Sequence, residues 1–257
     1  MAAPSLAGAT KAVGGLAAMA LDVLRSIGKR PFPMGEFLQQ SAFIARVSLL
    51  PAVMVTIPFV GVVIFLVNQL LAQIGAIDLS GTTTGLAVVR EIGPLAAVLV
   101  TAGAGATAIT ADLGARTIRE EIDAMKVLGI DPVHRLVLPR VIASTFVSVC
   151  LTAVITVVGV AVSYLISVGM QGAAPGQFVA ALTVLTNQVD FYVSLLKALI
   201  FGALAGLVAC YRGLKTGGGA KGVGQAVNET VVISFVLLFV VNSIITATYL
   251  QTGNSKF

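Results

Sequence analysis

The sequence predicts an all-α polytopic membrane protein: an N-terminal interfacial amphipathic helix followed by about five transmembrane helices. Three observations carry this expectation. Of 257 residues, 57% are apolar and only 11% charged, against about 45–50% and about 25% in soluble domains. No charge occurs between Val47 and Ile77 or between Val141 and Val189, and ~18–20 apolar residues suffice to cross ~30 Å of hydrocarbon as helix. Aromatic residues make up 6% and Trp is absent, which argues against a barrel held by aromatic girdles.

The elements follow in order. Leu6, Val13, Leu16, Ala20, Leu21, Leu24 and Ile27 fall on one helical face, with Lys11, Asp22, Arg25 and Lys29 available to the other. Residues 1–34 therefore read as an interfacial helix and its connector; a disordered basic tail is the other reading of so many Ala and Gly. No secretory signal is evident there. Gly28 and the run Arg30-Pro31-Phe32-Pro33 end the helix. A first span covers about 43–71, and Pro51 and Pro58 predict that it is kinked or broken. Residues 68–85 read as polar and turn-rich. The second span, 92–111, is dense in Gly, Ala and Thr, which lets helix backbones approach closely inside a bundle.

Residues 112–140 are the only long charged block, between the second and third spans. The third span, 141–168, precedes a charge-free polar loop with Gly172, Pro175 and Gly176. The fourth, 191–211, holds Gly202 and Gly206 at a spacing suited to helix packing. A Gly/Lys loop over 212–224 leads to the fifth span, 230–250. The whole of 1–257 reads as one domain without internal repeat. Lys and Arg gather in the N-terminal segment, in 112–140 and in 212–224, whereas 68–84 and 169–189 have none. The positive-inside rule then puts the N-terminus in the cytoplasm and the C-terminus, with Lys256, outside.

Enzymatic chemistry is not expected. His134 stands alone, Cys150 and Cys210 lie in or beside apolar runs, and no metal-ligand spacing occurs. Gly217-Gly218-Gly219-Ala220-Lys221 lacks the residues of a phosphate loop. The net charge of +5 is spread over short segments between spans, which fits topology signals rather than nucleic acid. Two groups of residues stand out. In Arg116–Leu128 the positions Ile118, Ile122, Met125 and Leu128 form one helical stripe, with Arg116, Arg119, Glu120, Glu121, Asp123 and Lys126 on the remaining surface. Such a helix either rests on the membrane or docks a cytoplasmic partner. Arg90, Glu91 and Lys197 are ionisable groups at or inside spans, which is functional by default, with an interfacial pair and a snorkelling Lys as the bland readings. Asp190 reads as an interfacial helix start.

The run Arg90-Glu91-Ile92-Gly93-Pro94, then Ala102-Gly103, Thr110-Ala111-Asp112-Leu113-Gly114, Glu120-Glu121-Ile122-Asp123-Ala124-Met125, Gly129-Ile130-Asp131-Pro132 and Pro139-Arg140 together resemble the MlaE/YrbE permease family. The resemblance extends from Arg30-Pro31-Phe32 to Val227-Asn228-Glu229-Thr230. Cys210-Tyr211-Arg212-Gly213-Leu214 and Ala115-Arg116-Thr117-Ile118-Arg119-Glu120-Glu121 look like actinobacterial YrbE proteins of Mce systems, the A-type member above all. The resemblance implies a non-catalytic permease subunit of an ABC-type lipid transporter in the cell (plasma or inner) membrane. It implies a heterodimer with a B-type YrbE paralogue and extracytoplasmic MCE-domain proteins. A cytoplasmic ABC ATPase, which carries ATP and Mg, would dock on the 116–128 helix. The cargo would be fatty acids, sterols or related lipids, imported along a path that includes Arg90, Glu91 and Lys197. Ala104 and Asn242 depart from the family pattern, where relatives carry an Arg and, in some, an acid; the cavity would be less polar and suit a more apolar cargo. The rival readings are an ion-coupled secondary carrier and a non-transporting scaffold for MCE proteins and an ATPase.

Overall fold

The long apolar runs fold as long helices, and a computed structural model describes residues 6–185 and 188–253. Among these residues there is no strand. Helix α1 spans Leu6–Ser26, α2 Met34–Gln73, α3 Ile77–Ile118 and α4 Glu121–Val127. They are followed by α5 Val133–Met170, α6 Pro175–Leu185, α7 Gln188–Leu214 and α8 Gly219–Gly253. Helices α2, α3, α5, α7 and α8 are long and apolar enough to cross a membrane. Lys256 lies outside the described residues.

Helix α2 corrects the expected break at Pro51 and Pro58, because it runs unbroken for 40 residues. Its buried positions Ile44, Ser48, Ala52, Thr56, Val60, Ile64 and Asn68 recur every fourth residue. Both prolines fall on the exposed side of that stripe. The lost amide and the bulky ring are thus turned away from the packed face, where the wall of the bundle tolerates them.

Helices α3 and α7 form the interior. In their most apolar windows 61% and 56% of residues are buried, against 22% in α2 and α8. Helix α5 packs between α2 and α7, while α8 lies against α3 and α7. The α5–α7 contact depends on Gly202 and Gly206. A Cβ on Gly202 would meet Thr145 Cα at 2.8 Å and Ser144 O at 2.9 Å, and one on Gly206 would meet Ser144 Cβ at 3.0 Å. The pair is therefore a close approach within the chain. Helix α3 is irregular, with π-type turns over Gly85–Ile92 and Thr101–Gly105.

Helix α1 sits beside the bundle. Val23 and Ser26 are buried and Gly15 meets Tyr211, whereas Val13, Leu21, Leu24 and Ile27 remain exposed. Two regions depart from expectation. Residues 169–189 are not a plain loop: α6 buries Phe178 and Ala181 against the start of α3. Thr82 donates to Ala181 O at 2.9 Å and the Ala174 amide to Asp78 Oδ1. A charge-free helix of 11 residues shows too little periodicity to be read from the sequence alone. Likewise 68–85 is mostly helical, with its turn confined to the residues around Gly75, whose φ is +69°.

The charged block also differs. Arg116 and Ile118 finish α3, Glu120 breaks the helix with φ 60°, and only Glu121–Val127 is the short helix α4. The single 116–128 stripe is thus broken. Beyond the break Ile122 enters the core with Met125 packed beside it, while Ile118 and Leu128 stay exposed. Gly129, at φ +73°, ends the helix, and Asp131 Oδ1 accepts from the Val133 amide at 3.0 Å to start α5.

Candidate functional site

An intramembrane polar cluster forms where α3, α7 and α8 meet, in the half of the bundle away from its basic end. Lys197, two turns into α7, has a side chain only 1% exposed. Its ammonium donates to Glu91 Oε1 at 2.9 Å and to Thr246 Oγ1 at 2.8 Å. The Thr246 hydroxyl lies 3.2 Å and 3.3 Å from the two Glu91 oxygens and donates back to that carboxylate. Lysine, carboxylate and hydroxyl therefore close a triangle. The ammonium also lies 3.5 Å from Arg90 O, a carbonyl within the π-type turns. Such turns recur at functional positions of helices.

A second pair adjoins the first. The Arg90 guanidinium lies 3.9 Å from Asp190 Oδ1 and stacks 4.3 Å above the Tyr249 ring. The Tyr249 hydroxyl donates to Asp190 Oδ1 at 2.8 Å. Asp190 stands in the first turn of α7, as a helix start, and its side chain is buried within the protein. The cluster thus holds two cations and two carboxylates in opposed pairs, the arrangement that makes burial of charge in a bundle tolerable.

The structure brings Arg90, Glu91 and Lys197 together and adds Asp190, Thr246 and Tyr249. Asp190 was within reach of sequence reasoning, since it lies seven residues, two helical turns, before Lys197 on the same face. Thr246 and Tyr249 carried no such signal, because isolated hydroxyls are ordinary in spans. A cleft of about 730 Å³, lined by Lys221, Gln225, Glu229 and Val232, lies elsewhere. It ends at Ile233, 13 residues or about 20 Å along α8 from Thr246.

The charged block presents a different surface. Glu121 is bridged by Arg119 at 2.7 Å and Arg116 at 3.8 Å, and Lys126 pairs with Asp123 at 2.7 Å. Arg119, Glu120, Asp123 and Lys126 are exposed beside the exposed apolar side chains of Val127 and Leu128. Met125 is half-buried and packs against the core beside Ile122. At the far end of the block, Lys29 donates to Asp131 at 2.9 Å, which holds that carboxyl below its ordinary range against the opposing effect of burial. His134 Nε2 lies 3.3 Å from Lys29 O. Among the described residues no group of His, Cys, Asp and Glu could hold a metal ion.

Comparison with known proteins agrees with this architecture. The family profile described as Permease MlaE matches residues 37–248. A probable ABC transporter permease protein of Rickettsia typhi is 32% identical over 92% of this chain and 91% of its own length. A probable ABC transporter permease protein of Synechocystis is 34% identical over 74% of this chain and 72% of its own. The chloroplastic protein trigalactosyldiacylglycerol 1 of Arabidopsis thaliana is 33% identical over 66% of this chain and 49% of its own. With five apolar helices matched almost throughout by that profile, the chain belongs to the MlaE permease family, the membrane-embedded permeases of ABC transporters.

Proposed function

We propose that this chain is the A-type YrbE permease subunit of an Mce lipid transporter. In this reading it pairs with a B-type paralogue and delivers fatty acids, sterols or related lipids received from extracytoplasmic MCE proteins. Arg90, Glu91 and Lys197, with Asp190, Thr246 and Tyr249, line the lipid path. The chain is not itself an enzyme: ATP and Mg are bound by a cytoplasmic ATPase that contacts Arg116, Arg119, Glu120, Glu121, Asp123 and Lys126. Its N-terminus is cytoplasmic and its C-terminus extracytoplasmic.

The observation that carries the reading is the fully paired ionic cluster inside the spans. Ionisable groups cost at least ~2.5–3.5 kcal/mol each on insertion scales and are retained in membranes for pathways and relays. The exposed charges of α4 and the preceding turn support the ATPase contact, since such charges chiefly set partner specificity and association rate.

The test is reconstitution of the complex in vesicles with a pyrene-labelled fatty acid. Lipid transfer is expected to need the ATPase and ATP, and to fall at least tenfold in Lys197→Leu. Transfer by this chain alone on an ion gradient would establish the carrier instead, and unchanged transfer in Lys197→Leu would favour the scaffold. Reversing both Glu120 and Glu121 to Lys should release the ATPase from a complex whose permease stays folded; co-purification at wild-type yield refutes the docking role.

A further inference from the structure

A guanidinium closed off from solvent sits where the charged block meets the bundle. The Arg140 side chain has no exposed area. Its Nη2 donates to Asp112 Oδ2 of α3 at 2.7 Å and lies 3.0 Å from Glu36 Oε1 in the first turn of α2. Its Nη1 donates to Leu136 O at 3.0 Å, while the buried Nε–H has no acceptor in the protein. Asp112 extends the link: its Oδ1 accepts from Arg116 Nε at 3.3 Å, and Arg116 Nη1 lies 3.8 Å from Glu121 Oε2 in the first turn of α4. Charges of alternating sign thus run unbroken from α4 to the starts of α2 and α5. Gln40 also donates to Glu36 Oε1, at 3.1 Å.

Two features make this more than a structural clamp. The guanidinium serves two carboxylates on different helices through Nη2 and a backbone carbonyl through Nη1, a rigid planar spread of donors that the single nitrogen of a lysine ammonium does not match. Its spare buried donor leaves it able to exchange acceptors, as an element with two arrangements requires.

We propose that Arg140 is a positioning residue: with Asp112 and Glu36 it forms the ionic junction that passes movement of α4 on the ATPase to α2 and α5. The junction touches neither cargo nor nucleotide. It rests on the reading of α4 as the ATPase contact.

The test uses the intact complex, captured through a tag on this chain and reconstituted with the pyrene-labelled fatty acid. In Glu36→Gln and Arg140→Lys the ATPase should co-purify at wild-type yield, while lipid transferred per ATP hydrolysed falls at least tenfold. Glu36→Asp, which keeps the charge, should recover at least half of the wild-type ratio. An unchanged ratio in both Glu36→Gln and Arg140→Lys overturns the proposal. So does loss of the folded permease or of the ATPase in both, since the junction would then only hold the structure together. Failure of the underlying reading is visible separately, as a wild-type complex that captures no ATPase, and it overturns the junction as well.

Discussion

Removing the ammonium of Lys197 leaves Glu91 with only the Thr246 hydroxyl, inside a bundle where water is scarce. Breaking a buried ion pair from one side costs about 3–5 kcal/mol because the surviving charge is uncompensated. The Glu91 side chain is 29% exposed, so Lys197→Met belongs at the low end, about 3 kcal/mol, or roughly two decades in the unfolding equilibrium. Glu91→Gln strands a lysine only 1% exposed and should cost at least as much, about 3–4 kcal/mol. The double variant removes both charges and keeps similar volumes, so its cost should fall to about 1 kcal/mol. The coupling is then several kcal/mol, against at most ~1.7 kcal/mol for hydrogen bonds alone between spans. The assay is unfolding of the purified chain in mixed micelles by added dodecyl sulfate, followed by circular dichroism for the four members of the cycle. Costs that add to within about 0.5 kcal/mol would mean the two charges do not stabilise each other, and the closed triangle would be energetically empty.

Two further outcomes are expected. Gly202→Ala should lower the melting temperature by an amount equivalent to about 1–3 kcal/mol without changing oligomeric state, because the added methyl meets the backbone of α5. Gly103→Ala, with nothing within 4 Å, is the control, and equal melting of the two refutes the packing argument. The Asp131 carboxyl, held below its ordinary range chiefly by the Lys29 hydrogen bond, stabilises the fold above the unfolded-state value and loses that effect as pH falls through its depressed value. Since both partners are about half exposed, the effect is only about 0.2–1 kcal/mol. The melting difference between wild type and Asp131→Asn should be steady near pH 6 and close towards pH 3; a difference independent of pH refutes it.

The fold was legible wherever a single physical constraint acts over a long stretch. Five long apolar runs, only two of them interrupted by a charge (Arg46 and Lys197), mark the spans, because in lipid the backbone must satisfy its own hydrogen bonds, as a helix does. The break expected at the prolines is absent because propensity is local, whereas their cost depends on which face they occupy, and Pro51 and Pro58 both occupy the outer one. The break at Glu120 was hidden for a related reason. The stripe from Ile118 to Leu128 is helical by spacing, yet the helix breaks at Glu120 and Ile122 is buried just beyond the break. At the candidate site, Arg90, Glu91 and Lys197 announce themselves as charges in apolar surroundings. Thr246 and Tyr249 gain significance only from partners 155 residues away in Glu91 and 59 residues away in Asp190, a distance that no pattern in one sequence encodes. Arg140 carried a misleading signal, since its place in a basic block suggested solvent and topology rather than complete burial.

The opposed pairs on α3 and α7 have an electrical consequence. A lone charge displaced across a membrane responds to the potential with ~2.3 kcal/mol per 100 mV, enough to let voltage drive or stall the motion. Arg90 with Asp190 and Lys197 with Glu91 sum to zero when all four are ionised. A rearrangement that carries the four together therefore moves no net charge through the field. The potential can neither pull such a step forward nor hold it back through these four groups.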